Sequence, residues 1–128
     1  MAKEFSIEQD DSYEEMAATY QVIEIARLNE VLKRHKIPDH ARREICTDYF
    51  FENGVFLDSG WLKVSGNQVF PTLCFAERPV DPQEGLGEIT KLHTPSQFFS
   101  FHEYAHGDIS FYFEDHAESI GNIEHGNL

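Results

Sequence analysis

The feature that most constrains the fold is a long segment, residues 12–35, with helix signals at both ends. Ser12, followed three residues later by Glu15, has the form of a capping box, and acidic residues fill the first turn. Lys33, Arg34 and Lys36 lie at the C-terminal end of the segment, and Pro38 prevents the helix from continuing. The segment therefore predicts a long first helix that ends near His35.

The apolar residues of this helix are spread widely around it. Met16 and Ile23 lie on one side, whereas Val22 and Ile25 lie across from them. A helix that is apolar over much of its circumference is either central to the fold or shared with a partner. We therefore expect the first helix to lie in the core, with a homodimer through this helix as an open alternative.

The hydrophobic period changes after the next helical segment. Asp39 is a suitable cap for a second helix, Ala41 to Phe51, which Asn53-Gly54 is expected to stop. Three strand-like segments follow, at residues 55–57, 61–64 and 69–75. The turn at 65–68 lies between the last two and predicts a β-hairpin. Residues 77–87, rich in proline, glycine and acid, are expected to form a loop.

Two interpretations of residues 95–114 compete. Thr94 as cap, Pro95 at the first helical position and Gly107 as C-cap predict a third helix at 95–106. The aromatic residues before position 105 instead favour a strand, with 105–108 as a hairpin loop. In both cases the alternation of apolar and polar residues predicts a strand at 109–114.

These elements predict an α+β fold. Two N-terminal helices are expected to pack on a small, mainly antiparallel sheet, with a third short helix at 95–106 in the helical alternative. A chain of 128 residues is long enough to form one domain with its own core, so 1–128 is predicted to be a single domain. Residues 1–11 and 118–128 are expected to be loosely ordered ends.

The charge is strongly acidic and unevenly distributed. The chain carries a formal net charge of −13. Residues 44–128 account for most of it, with 3 Lys or Arg against 14 Asp or Glu. Because phosphate binding needs a basic surface, this charge argues against a nucleic-acid partner. It is compatible with a protein partner that has a basic surface, and also with an acidic surface that only keeps the protein soluble. No run of residues is apolar enough for a membrane span, so we expect no membrane partner and a cytoplasmic location.

One short motif carries chemistry, the HExxH pattern of His102-Glu103-Tyr104-Ala105-His106. On a helix, two histidines one turn apart can bind zinc and the glutamate can act as the general base on a zinc-bound water. In this respect the segment resembles the zincin metallohydrolases. The resemblance implies a third ligand downstream, for which His116, Glu118 and Glu124 are the candidates.

The motif is short, and the pattern that the metzincin branch shows after it is missing, because Tyr112 stands where the third histidine belongs. No long downstream helix is predicted to carry a glutamate ligand. The function we expect is therefore a small acidic, non-enzymatic interaction or adaptor module that needs no cofactor. The alternative is a zinc-dependent hydrolase with His102, His106 and His116 as ligands and Glu103 as the catalytic base.

Overall fold

The computed structural model describes residues 6–8, 12–87, 89–96, 99–115 and 126. Within these ranges the chain is α+β, with three α-helices and two small sheets, and two of the helices precede most of the strands. The α+β class with two N-terminal helices is thus confirmed. Two compact units are present, one formed by Met1–Met16 with Thr72–Phe99 and the other by Ala17–Pro71 with Ser100–Leu128.

The first helix, α1, spans Ser12–Arg34 and confirms the prediction from its end signals. Glu14 and Glu15 lie in its first turn, and Lys33 and Arg34 in its last. Each pair has the sign that the helix dipole favours at that end. One side of its apolar belt is buried, with Val22, Ile25 and Ala26 in the hydrophobic core of the second unit, whereas Tyr20 and Val31 on the other side are both 38% exposed.

The second helix, α2, spans Asp39–Ser59 and is longer than the sequence predicts. The predictions that Asn53-Gly54 stops this helix and that residues 55–57 form a strand are both wrong. Gly54 lies inside α2 because the helix passes close to the backbone of the third helix at this point. A Cβ atom at Gly54 would lie 2.7 Å from the backbone nitrogen of His102. The glycine is therefore a packing position and does not cap the helix.

The third helix, α3, spans Phe101–Ser110 and continues as a π-helical turn over Phe111–Asp115. The motif is thus helical, but the helix begins six residues later than predicted, after Ser100, and runs through Gly107. The predicted strand at 109–114 is wrong. The reason is the helical spacing of Phe101, Ala105, Ile109 and Tyr112, which buries all four on one face.

The β-hairpin is present but short. Strands β2 (Leu62–Val64) and β3 (Asn67–Val69) pair antiparallel. Ser65 and Gly66 have φ angles of 51° and 84° between the strands, and two positive φ angles are typical of the tight turn that fits the strand twist. All residues from 61 to 70 are exposed, so the hairpin contributes no buried side chain to the second unit.

The first unit contains a three-stranded sheet. Its order is β1 (Ser6–Glu8), β5 (Lys91–His93) and β4 (Phe75–Ala76), with β1 parallel and β4 antiparallel to β5. Residues 6–8, which the sequence places in a loosely ordered end, therefore form a strand. Tyr13 is fully buried in this unit, where its hydroxyl donates to the carbonyl of Leu73 at 2.6 Å.

The core of the second unit lies between its helices. Apolar side chains of α1, α2 and α3 form the cluster, with Cys46 and Phe50 from α2. A buried polar network crosses the same region: Arg42 Nε donates to Asn29 Oδ1 at 2.8 Å, and Asn29 Nδ2 donates to the Tyr112 hydroxyl at 3.2 Å. Because these polar groups are buried, their hydrogen bonds fix the packing of the three helical segments.

Alanine substitutions at Gly54 and Gly107 are expected to have opposite effects on the stability of the protein. Gly54→Ala is expected to destabilise the protein by about 1–3 kcal/mol, because the added methyl group meets the backbone of α3 and cannot be relieved by a side-chain rotation. Gly107→Ala is expected to stabilise by about 0.5–1 kcal/mol, because nothing lies within 4 Å and alanine favours the helix. Urea unfolding of both variants measures the difference. Equal effects of the two substitutions would contradict the close approach at Gly54.

Candidate functional site

The HExxH motif lies in the first turns of α3, with its two histidines one turn apart. His102 is half-buried, whereas Glu103 and His106 are exposed. Both imidazoles contact the ring of Phe51 on α2, with ring centroids 5.8 Å and 5.7 Å away. The two histidines therefore turn towards the same aromatic side chain of the neighbouring helix.

Asp58, near the end of α2, caps the start of α3. Its carboxylate accepts the backbone N–H of Phe101 at 2.6 Å and that of His102 at 3.0 Å. It also accepts the Ser100 hydroxyl at 3.0 Å, and it lies 2.6 Å from Nδ1 of His102. These donors include backbone N–H groups that a helix start leaves without intrahelical partners. The cap comes from another helix and not from the residue before α3.

This environment lowers the pKa of Asp58. Burial acts in the opposite direction and raises the pKa, but the hydrogen bonds from the backbone and ring of His102, from Phe101 and from Ser100 together outweigh it. The ionised carboxylate is the form that accepts all of them. Nδ1 of His102 faces this carboxylate, so the ring is held in place by the cap.

The predicted metal ligands are only partly placed by the structure. His102 and His106 share the side of α3 that contacts Phe51, while His116 and Glu118 lie outside the described residues. Among the residues that are described, no group of three or more His, Cys, Asp or Glu side chains is arranged to hold a metal ion. The zinc site and the catalytic role of Glu103 stay predictions.

A groove runs along α2 beside the motif. It consists of two adjoining cavities of about 600 Å³ and 240 Å³, which share Thr47 and Asp48. Its lining is mostly charged or aromatic and comprises Asp39, His40, Arg43, Glu44, Thr47, Asp48, Phe51, Glu52, His106 and Phe113. We call this feature the α2 groove. Arg43 is already engaged there, because its guanidinium lies over Phe113 at 5.9 Å and bonds Glu114 at 3.1 Å.

Large apolar side chains are exposed along the same part of the chain. Ten of them lie between residues 45 and 70, on α2 and the hairpin: Ile45, Tyr49, Phe51, Val55, Phe56, Trp61, Leu62, Val64, Val69 and Phe70. We call this stretch the apolar segment. Tyr49 is 55% exposed, Trp61 53% and Phe70 61%, which is unusual for aromatic residues. Within the described ranges, no helix is both long and apolar enough to cross a membrane.

Asp108 is a buried carboxyl group on the inner face of α3. It is 9% exposed, and its Oδ2 atom has no hydrogen-bond partner among the described residues. Burial raises its pKa to about 7. No sequence pattern marks Asp108 or Asp58, because burial and contact with a distant helix leave no local signal in the sequence.

Asp58→Asn is expected to destabilise the protein by about 1–2 kcal/mol, because an amide oxygen replaces a charged acceptor at the start of α3. The loss should shrink as pH falls below the ordinary carboxyl pKa of 3.8, since the lowered pKa of Asp58 stabilises the fold only while the group is ionised. Denaturant unfolding at several pH values measures it. A constant difference between pH 2 and pH 7 contradicts the carboxylate cap.

Asp108→Asn is expected to change the pH dependence of stability. The carboxyl keeps its proton up to about pH 7 when folded but only up to about 3.8 when unfolded, so wild-type stability falls as pH rises through this window. The amide of the Asp108→Asn variant does not titrate, so this decrease in stability with rising pH is expected to be absent from the variant. Thermal unfolding from pH 4 to 8 should show a flatter curve for this variant than for the wild type. If the unfolding temperatures of Asp108→Asn and the wild type depend on pH in the same way, Asp108 is not a buried carboxyl group that stays protonated in the folded protein.

No protein-family model matches the chain, and neither a curated protein nor a solved structure is significantly similar to it. Three features of the described residues bear on function: the Asp58 cap that fixes α3 against α2, the α2 groove and the apolar segment.

Proposed function

We propose that the chain is a non-enzymatic interaction or adaptor module that binds a partner protein with a basic surface. The observation that carries the proposal is the apolar segment, in which ten large apolar side chains are exposed within 26 consecutive residues, 45–70. Extensive exposed apolar surface in a folded protein is typical of interaction sites. Aromatic residues are also the side chains most enriched at the centres of protein interfaces.

The hairpin gives this proposal a structural reason. A two-stranded hairpin is marginally stable on its own in water and needs an apolar face packed against something else. Trp61, Leu62, Val64, Val69 and Phe70 are all at least 40% exposed, so the hairpin does not bury them within the second unit. A partner that covers these residues stabilises the hairpin and removes its apolar surface from water.

Charge decides which kind of partner fits. Between Arg43 and Lys63 the chain has four acidic residues and no Lys or Arg. A second copy of the chain brings a net charge of −13 towards another −13, whereas a basic partner is attracted over a long range. On α1, Val22, Ile25 and Ala26 lie in the core and are not available to a homodimer through this helix, whereas Tyr20 and Val31 are exposed. We therefore favour a basic partner.

The test compares two double variants with the wild type. Tyr49→Ser with Phe70→Ser removes two highly exposed aromatic residues of the apolar segment. Val80→Ser with Leu86→Ser is the control, because both residues are at least 50% exposed and lie outside the segment. Each protein is used to isolate partners from cell extract, and the protein enriched by the wild type is then purified.

Binding is measured by titration of the purified partner, with Trp61 as the reporter because it is the only tryptophan of the chain. We expect a blue shift of its emission in the wild type and the control. We expect dissociation constants at least about tenfold weaker for the Tyr49/Phe70 variant, since buried interface aromatics typically contribute more than about 1.4 kcal/mol. A partner that binds all three proteins equally, or a partner with an acidic surface, contradicts the proposal.

A further inference from the structure

The α2 groove is long enough to receive a segment of a partner. It follows α2 from Asp39 to Glu52, and these 14 residues span about 20 Å at 1.5 Å per residue. α3 and the π-helical turn contribute His106 and Phe113 to its lining. A groove of this length matches about four turns of a docked helix.

A row of carboxylates lies along this groove. Glu44, Asp48 and Glu52 are spaced four residues apart on α2, so they lie on one face, about 6 Å apart along the helix axis. All three are exposed, and none forms an ion pair with another described residue. Like charges at this spacing destabilise a helix. Cations placed opposite the row remove that repulsion.

The groove also presents apolar contact area. Phe51 is 38% exposed and is flanked by Asp48 and Glu52. Phe113 forms a second aromatic wall near the other end, beneath Arg43. A ligand that fits must therefore offer both positive charges and apolar side chains, at a spacing that matches a helix.

We infer that the α2 groove binds a basic amphipathic helix of the partner, with Lys or Arg at every fourth residue opposite Glu44, Asp48 and Glu52, and with apolar side chains against Phe51. This rests on the proposed function and names the chemistry of the partner. The periods agree because both elements are helices with a rise of about 6 Å per four residues. A second copy of this acidic chain is disfavoured by charge, as is a nucleic acid.

The test uses a fluorescent synthetic peptide of about 15 residues, long enough to fill the groove, with Lys at every fourth position and Leu on the adjoining face. A scrambled peptide of the same composition and a Lys→Gln version serve as ligand controls. Fluorescence anisotropy at low and high salt gives the dissociation constants, and circular dichroism reports helix formation on binding.

Two triple variants distinguish the effect of the carboxylates in the groove from the effect of the net charge of the protein. Glu44→Gln, Asp48→Asn and Glu52→Gln neutralise the row in the groove. Glu14→Gln, Glu15→Gln and Glu84→Gln remove three exposed acids elsewhere, so both proteins carry the same net charge. Phe51→Ser removes the aromatic anchor. Thermal unfolding checks that each variant is folded, and loss of the carboxylate repulsion should leave the groove variant at least as stable as the wild type.

We expect the designed peptide to bind the wild type at micromolar concentration, to gain helix, and to bind at least tenfold more weakly at high salt. We expect the groove variant and Phe51→Ser to bind the peptide at least tenfold more weakly than the wild type. We expect the control variant to stay within about threefold of the wild type. Both triple variants have the same net charge, so their long-range attraction for the peptide falls by the same amount, and salt screens it alike in both. Equal weakening of the two triple variants, or binding of the scrambled peptide as tight as that of the designed one, overturns the inference. Self-association of the chain through the groove overturns it as well.

Failure of this inference and failure of the proposed function have different signatures. If the partner isolated by the wild type needs Tyr49 and Phe70 but not Glu44, Asp48 and Glu52, the chain is an interaction module whose partner docks outside the groove. If neither set of substitutions affects that partner, the proposed function fails. If the peptide binds the wild type with the expected dependence on the groove, the inference holds.

Discussion

The contact between α2 and α3 is the constraint on which the rest of the second unit depends. Gly54 lets the two backbones approach, and Asp58, one helical turn later, accepts the N–H groups that start α3. The cap joins α2 to α3, because Asp58 is 43 and 44 residues away in sequence from the two residues whose N–H groups it accepts. With α3 fixed in this way, His106 and Phe113 complete the α2 groove, and the inner face of α3 closes the core.

The same contact gives the HExxH motif a structural role. His102 takes part in the cap through its backbone N–H and through Nδ1, and its ring contacts Phe51. A histidine at this place is therefore useful to the fold whether or not a metal ion binds. The zinc-hydrolase alternative needs further ligands that the described residues do not supply as a group, and it stays a prediction.

Local sequence signals predicted those parts of the fold that local physics decides. The charges and cap of α1 and the turn at Ser65-Gly66 act within a few residues, and both elements are present. The predicted stop at Gly54 is wrong because a glycine that ends a helix and a glycine that admits a neighbouring backbone look alike in sequence. Gly107 lies inside α3 with open space around it, so there the helix continues through a glycine that has no such contact. The segment 109–114 alternates like a strand, but Phe101, Ala105, Ile109 and Tyr112 also follow the helical period, and burial of that face decided the outcome. The role of Asp58 cannot be predicted from local sequence, because its partners are 43 and 44 residues away in the chain.

The charge asymmetry of the sequence is compatible with a partner that has a basic surface, and we propose the α2 groove as the place where such a partner binds. Its most direct test is amide hydrogen exchange of the wild-type protein with and without the basic amphipathic peptide. Exchange is expected to slow over residues 39–56 of α2 and to stay unchanged over residues 75–93 of the first unit. Binding that leaves exchange in α2 unaltered, or that slows it evenly along the chain, would contradict a basic helix docked in the α2 groove.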